Sequence, residues 1–340
     1  MKPTLAITMG DINGIGPEVL VRALARPETW QQCNPIVIGS VDVFERVRQT
    51  VPACPEAARI GEIAEARFDA GTTPVLGGDI PCPAYQPAVL SPEAGHAAIQ
   101  WVKRAIRLAM TRHIDGLVTC PINKEGIHRA GYDYAGHTEL LAEMTSTPDY
   151  RMSLFSDALR IVHVTSHLSL REAIACVTRD RIEKTVQIAH EALTRLALTR
   201  RAIAVAGLNC HAGEAGAFGS EDRDEILPAV QACRASGVDC SGPHPPDTVF
   251  VRMKEGEFDL VVAMYHDQGH IAFKMVALDE GVNVTLGLPI VRTSVDHGTA
   301  YDIAGNGVAR EGSLCAAVSL AARLATTNEP HNDTRRTQRT

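Results

Sequence analysis

The segment "AMYHDQGHIAFK", residues 263–274, places His266, Asp267, His270 and Lys274 directly behind the apolar run "FDLVVAMY". An imidazole can ligate a metal, move a proton or simply hydrogen-bond inside a core, so one histidine decides nothing alone. Groups of the right type recur at comparable places. His167 follows "RIVHVTS", His211 and Glu214 follow "AIAVAGLN", and Lys124, His137 and Thr138 follow "DGLVTC". Arg292, Asp296 and His297 follow "VNVTLGLP". The imidazoles of His167, His211 and His266, at equivalent strand ends, could converge on one divalent cation and leave open positions for Lewis-acid chemistry. The long intervals between them match no short metal signature, so spacing alone establishes no site.

A second constellation suits an anion. Lys274, Arg292, Asn283, His137 and Thr138 supply the charged and neutral donors a phosphate accepts, and an arginine can bind it bidentately. Surface ion pairing would equally account for the Lys and the Arg. Thr138 could equally cap the helix "ELLAEM", and a helix N-terminus is itself attractive to anions. The loop "GDINGIGPE" invites comparison with a dinucleotide fingerprint but fails it, because Val19 occupies the third glycine position. Pro17 in a first helical turn and Glu18 at its positive end make this a tight strand-to-helix turn near a ligand.

The elements that must position these groups alternate along the chain. "TLAITMG", "PIVIGS", "DGLVTC", "RIVHVTS", "AIAVAGLN", "LVVAMY" and "VNVTLG" read as buried strands, each ending in small or polar residues. Helical patterns such as "SPEAGHAAIQWVKRAIRLAM" and "TRDRIEKTVQIAHEALTRLA" lie between them; the second has Arg181 where a capping box wants an acid. Strands alternating with such helices predict an α/β protein with mostly parallel sheets, whose ligands bind beyond the carboxyl ends of the strands. Residues 70–92 and 241–248 show little periodicity, and the last fifteen residues read as a disordered tail.

Composition bounds the function. With 340 residues, 45% hydrophobic and 21% charged, the chain can bury a large core, and two subdomains are expected. A net charge of −7 argues against nucleic acid or anionic membrane as partners. No apolar run reaches the length of a signal peptide or a membrane span. The nine scattered cysteines contain no C-x-x-C pair and read as reduced thiols, so a cytoplasmic location is expected. Burial is the expectation for both Cys120 and Cys210.

Taken together, "GDINGIGPE", "GHTELL", "LNCHAGEAGAFGSED", "PPDTVF", "AMYHDQGHIAFK" and "VNVTLGLPIVRTSVDHGTAYDIAG" resemble the 4-hydroxythreonine-4-phosphate dehydrogenase family from about residue 4 to about 325. The resemblance implies a two-domain fold like that of isocitrate and isopropylmalate dehydrogenases. One domain would comprise 1–130 plus 300–325, the other 131–299, with 326–340 as tail and the active site in the interdomain cleft. It implies a homodimer with shared active sites and one divalent metal ion per site, zinc first, with magnesium, manganese or cobalt as alternatives. His167, His211 and His266 would be the ligands, one of them from the partner subunit, while His270 keeps its ordinary hydrogen-bonding reading. His137, Thr138, Lys274, Asn283 and Arg292 would hold the substrate. "DHGTAYDIAG" is similar to the loop with which the isocitrate-type enzymes hold NAD. By that likeness Asp296, His297, Gly298, Thr299, Ala300 and Ile303 would contact the cofactor, with Gly14 and Gly16 opposite.

The implied reaction is NAD-dependent oxidation, with decarboxylation, of a four-carbon 3-hydroxy acid carrying a 4-phosphate. Asp247, Asp267 and Lys274 are the candidate bases. Three family branches compete: sugar-acid 4-phosphates (D-threonate or D-erythronate), 4-hydroxy-L-threonine 4-phosphate, and unphosphorylated aromatic cis-dihydrodiols. His137, Thr138 and Arg292 argue against the last, and "TMGD", "NKEGIHRAG", "PPDTVF" and "HDQGHI" favour the first. A zinc hydrolase could use the same histidines but would not need the NAD-like loop, and a non-catalytic phosphate binder would not need the metal set.

Overall fold

The computed structural model describes residues 1–68 and 71–326, so most of the expected tail lies outside the described residues. Short runs, mostly buried and aliphatic, extend into β1 (Thr4–Thr8), β2 (Asn34–Ile38), β4 (Thr72–Leu76), β5 (Gly116–Thr119) and β6 (Arg151–Phe155), while β3 (Glu56–Ile60) is a largely exposed edge strand. They continue in β7 (Arg160–His163), β8 (Ile203–Ala206), β9 (Cys240–His244), β10 (Leu260–Ala263), β11 (Val282–Leu286) and β12 (Arg292–Val295). All join one sheet in the order β3-β4-β2-β1-β5-β12-β11-β6-β7-β10-β8-β9. Neighbours pair parallel except β12 with β11, β11 with β6, and β6 with β7. The expectation of a mostly parallel α/β architecture therefore holds.

Helices cover the faces. The helix Pro92–Met110 buries Ala94, Ala97, Ile99, Trp101, Val102, Ala105 and Ile106, and Ser91 accepts from the Ala94 amide as its N-cap. The helix Gly312–Thr326 packs against β12, β5 and the N-terminal helix Gly16–Leu24, so both ends of the described chain meet in one half of the sheet. No helix of the described residues is long and apolar enough to cross a membrane.

Several local expectations need correcting. The aperiodic segment 70–92 contains β4, and 241–248 overlaps β9; Pro and Gly hide both strands from a pattern reading. Thr138 is not an N-cap: Gly136 takes that position and the helix begins at His137. Cys120 is buried as expected, whereas Cys210 is exposed. Thr178, before the helix Arg179–Arg195, makes no side-chain cap bond, in keeping with the imperfect cap its sequence suggests.

Candidate active site

Strands β7, β10 and β8 are adjacent and parallel, so the three segments that follow them leave the sheet side by side. His266 opens the helix His266–Ala277 directly behind β10, and His167 lies just past β7 in a left-handed conformation at φ 48°. Their ring centroids are 5.9 Å apart. The Nδ1–H of His266 donates to Asp267 Oδ1 at 2.7 Å, which leaves Nε2 with its lone pair free for a metal. Glu139 Oε1 stands 3.9 Å from His167 Nδ1, and this contact holds the Glu139 carboxyl below its ordinary range.

His211 is placed differently. It sits in a loop where His211, Ala212, Gly213, Glu214 and Ala215 all have positive φ, and its ring packs on Phe218 at 6.4 Å. Asp222 anchors the start of this loop by accepting from the Leu208 and Asn209 amides. Among the described residues no group of three His, Cys, Asp or Glu side chains is poised to hold a metal. The single chain thus brings together His167 and His266 and not His211. In donor chemistry two half-exposed imidazoles fit a first-row cation as part of a site.

Behind His266 the structure adds a residue the sequence reading passed over. His163, within β7, is buried, and its Nδ1–H donates to the Met152 carbonyl at 3.1 Å. Burial, with help from the neighbouring His270, pushes His163 down to about 3. His270 stacks on His266 with centroids 3.6 Å apart, its Nδ1–H donates to the His266 carbonyl, and burial lowers it to about 4. The ordinary reading of His270 is what the geometry shows, since this bond turns its ring along its own helix. A strand pattern disguised His163, because a histidine inside "RIVHVTS" looks like an inward-facing core position.

Part of the anion set comes together: Arg292 is bonded to Asn283, and its charge acts on His137. Arg292 is 3% exposed, and its described hydrogen bonds go to neutral oxygens. One terminal nitrogen donates to Asn283 Oδ1 at 3.2 Å and Thr285 Oγ1 at 3.0 Å, and the other to Thr119 Oγ1 at 2.8 Å. Burial draws its guanidinium down to about 9. His137 is half-buried, with its Nε2 enclosed and unpartnered, and desolvation together with the Arg292 charge keeps it well below its ordinary range. Thr138 occupies the first turn of that helix. Lys274 donates to the Asp296 carbonyl at 2.9 Å and forms an ion pair with its carboxylate. Thr119 and Thr285 belong to the Arg292 cradle but gave no sequence signal, since Thr is ordinary in a strand.

The two glycine-bearing loops also meet. A Cβ at Gly14 would lie 2.8 Å from Thr299, and Ile15 donates its amide to the Thr299 carbonyl at 2.9 Å. At Gly16 a Cβ would lie 2.4 Å from the Met9 carbonyl, so the turn also hugs the end of β1. Tyr301 donates to buried Asp11 at 2.6 Å, and Gly305 donates its amide to Glu18. Ala300 is left-handed at φ 42°, Ile303 packs against the core, and His297 has a buried Nε2 without a partner. Gly298 has open space where a Cβ would be. Of the candidate bases, Lys274 is tied to Asp296 and Asp267 to His266, while Asp247 lies exposed in the turn after β9.

Residues 31–321 match the family described as "Pyridoxal phosphate biosynthetic protein PdxA". A D-threonate 4-phosphate dehydrogenase of Cupriavidus necator is 45% identical over 325 residues, covering 95% of this chain and 98% of that protein. The crystal structure of a 4-hydroxythreonine-4-phosphate dehydrogenase from Burkholderia phymatum is 44% identical, with a TM-score of 0.83 over 95% of this chain and 98% of that one. A β-decarboxylating dehydrogenase of Thermococcus kodakarensis is 15% identical with a TM-score of 0.50, covering 94% of this chain and 81% of that one. This distant likeness concerns the fold alone and is the one expected from the isocitrate-type motifs.

Proposed function

The chain belongs to the PdxA family, and from that premise we propose that it is an NAD-dependent, divalent-metal-assisted dehydrogenase acting on a 4-phosphorylated 3-hydroxy C4 acid, with decarboxylation. The observation that carries the proposal is Arg292: a buried guanidinium whose described hydrogen-bond partners are all neutral oxygens, with the Glu139 carboxylate near enough only to offset part of the burial. Burying an ion costs on the order of several kcal/mol, which a phosphate dianion at this position would offset. His137, with an unpartnered Nε2, and Thr138 in the helix's first turn extend the same cradle.

When bound, a divalent ion supplies Lewis acidity at the substrate hydroxyl and NAD accepts the hydride. Toward that chemistry His266 and His167 offer imidazole nitrogens, with Asp267 and Glu139 fixing their rings. The third ligand, His211, would come from the other subunit of a homodimer. The glycine turn at Gly14 and Gly16 and the loop 296–303 would bracket the cofactor, and their contact at Thr299 supports that pairing. Lys274, held by Asp296, is a cation that orients the substrate in this arrangement. It can take the hydroxyl proton only after giving up one of its own.

Identity does not rank the two phosphorylated branches, since relatives with either name lie at 45% and 44%. The forms of four motifs favour the sugar-acid branch, that is 4-phospho-D-threonate or 4-phospho-D-erythronate; 4-hydroxy-L-threonine 4-phosphate is the alternative. NADH formation by metal-loaded protein on the three acids decides it. A kcat/KM at least tenfold higher on the sugar acids, about 1.4 kcal/mol, is expected. A tenfold preference for the amino acid would assign the chain to the other branch.

A further inference from the structure

A second cationic recess lies on the face of the sheet opposite Arg292. In the pairing of β6 with β11, Met152 stands across from Thr285 and Arg151 across from Leu286. Side chains alternate along a strand, so Arg151 projects away from the face on which Thr285 holds Arg292. It lines a cavity of about 340 Å³ at the start of the helix Arg179–Arg195, with Asp149, Cys176, Asp180, Arg181 and Lys184 among the other lining residues.

The charges in this recess are unbalanced. Arg151 is 4% exposed, and its described acceptors are neutral: Thr185 Oγ1 and the Tyr150 carbonyl, both at 2.7 Å, and the Arg181 carbonyl at 3.4 Å. Arg181 donates Nε–H to the Val164 carbonyl at 2.7 Å, and among the described residues nothing accepts from its two terminal nitrogens. Burial, then the nearby Arg181 charge, lowers Arg151 to about 10. Lys184 already has Asp149 at 3.0 Å, and Asp180 also lines the recess, so the two guanidiniums share one carboxylate and leave a single positive charge in excess. The hydroxyl of Thr178 caps nothing, and the Arg179 amide at the helix start is taken by the Glu225 carboxylate at 2.6 Å, so the recess rests on its guanidiniums rather than on the helix end.

We propose that this recess is an anion site for the phosphoryl group of a small metabolite, separate from the catalytic cradle. Two guanidinium forks match the oxygens of a phosphate better than a lone ammonium would, and an anion meets the positive charge the recess keeps in excess. The volume admits a phosphate with a short organic substituent.

The test uses the full chain carrying Arg292→Ala, which disables the catalytic anion set, in a buffer of fixed ionic strength. Inorganic phosphate and glycerol 3-phosphate are each titrated by calorimetry, and alkylation of Cys176, which lines the recess, is followed by peptide mass spectrometry. Saturable binding of one equivalent per chain, with Cys176 alkylation slowed severalfold, is expected. Adding Arg181→Ala should weaken binding at least tenfold and abolish the protection, while Arg181→Lys restores only part of it. Equal binding of both ligands would identify the phosphoryl group alone as the recognised unit; tighter binding of the ester would add its substituent. Absence of saturable binding, or binding and protection indifferent to Arg181→Ala, overturns the proposal. Should the Arg292→Ala chain fail to fold, a second equivalent and the Cys176 protection on otherwise wild-type protein carry the same decision. Neither readout involves turnover, so failure here leaves the proposed dehydrogenase activity untouched, and the reverse.

Discussion

Arg292 is the residue on which the functional reading leans hardest. Its cradle of Asn283, Thr285 and Thr119 fixes the guanidinium plane through neutral oxygens, and Glu139 acts on it without bonding it. Arg292→Ala should therefore cost about 2–5 kcal/mol of transition-state binding for a phosphorylated substrate, roughly 30- to 5,000-fold in kcat/KM. Arg292→Lys should recover little, because an ammonium cannot reproduce the fork. Unchanged steady-state kinetics in either variant would remove the phosphate role. His163 and His270 make a different prediction. Their folded-state values of about 3 and 4 lie below the ordinary imidazole value of 6.5. Between those limits the unfolded chain binds more protons, so stability rises with pH through the window and is lost as pH falls through it. His163→Gln should flatten the dependence of the urea midpoint between pH 4 and 6.5; an unaltered slope would show that His163 is not held neutral. The sequence could present the histidines at strand ends as candidates because they interrupt apolar runs. It could not separate His163 from an ordinary core residue, since burial and an unpartnered nitrogen are properties of packing.

At the scale of elements, close approach is what the glycines provide. A Cβ at Gly269 would lie 2.4 Å from His163 Nε2 and 2.8 Å from Ile161, so the helix carrying His266 can seat on β7 only with glycine there. Gly269→Ala should destabilise the protein by about 1–3 kcal/mol, whereas Gly298→Ala, with open space at its Cβ, should leave the denaturation midpoint nearly unchanged. Equal midpoints for the two variants would contradict this packing. Gly14→Ala should push the turn off Thr299 and raise the KM for NAD more than it lowers kcat. The strand ends were legible because seven apolar runs announced themselves. β4 and β9 were not, since proline and glycine disfavour strands unless neighbouring strands hold the backbone extended. The helix start at His137 rather than Thr138 likewise depends on the backbone at Gly136, a detail that residue type does not encode.

For the whole molecule, the incomplete histidine set and an apolar helix face point the same way. Ile271, Met275 and Leu278, on and just beyond the helix that opens with His266, are strongly exposed. A face of this kind suits a second copy of the chain, and the family resemblance implies a homodimer with shared sites. Met275→Glu should shift the protein toward monomer in sedimentation analysis and, if His211 is supplied across subunits as proposed, lower kcat at least a hundredfold. A monomeric variant of full activity would refute the shared site. Neither the convergence of His167 with His266 nor the separation of His211 could be read from intervals along the chain. Both follow from the order β7-β10-β8 and from the left-handed loop, which are consequences of topology.

The most direct test of the central claim is NADH production by purified, zinc-loaded protein supplied with NAD and either D-threonate 4-phosphate or unphosphorylated D-threonate. Turnover of the phosphorylated acid, abolished by chelation and at least a hundredfold weaker without the phosphate, is the predicted result. Equal turnover of both acids, or turnover indifferent to metal removal, would contradict the account.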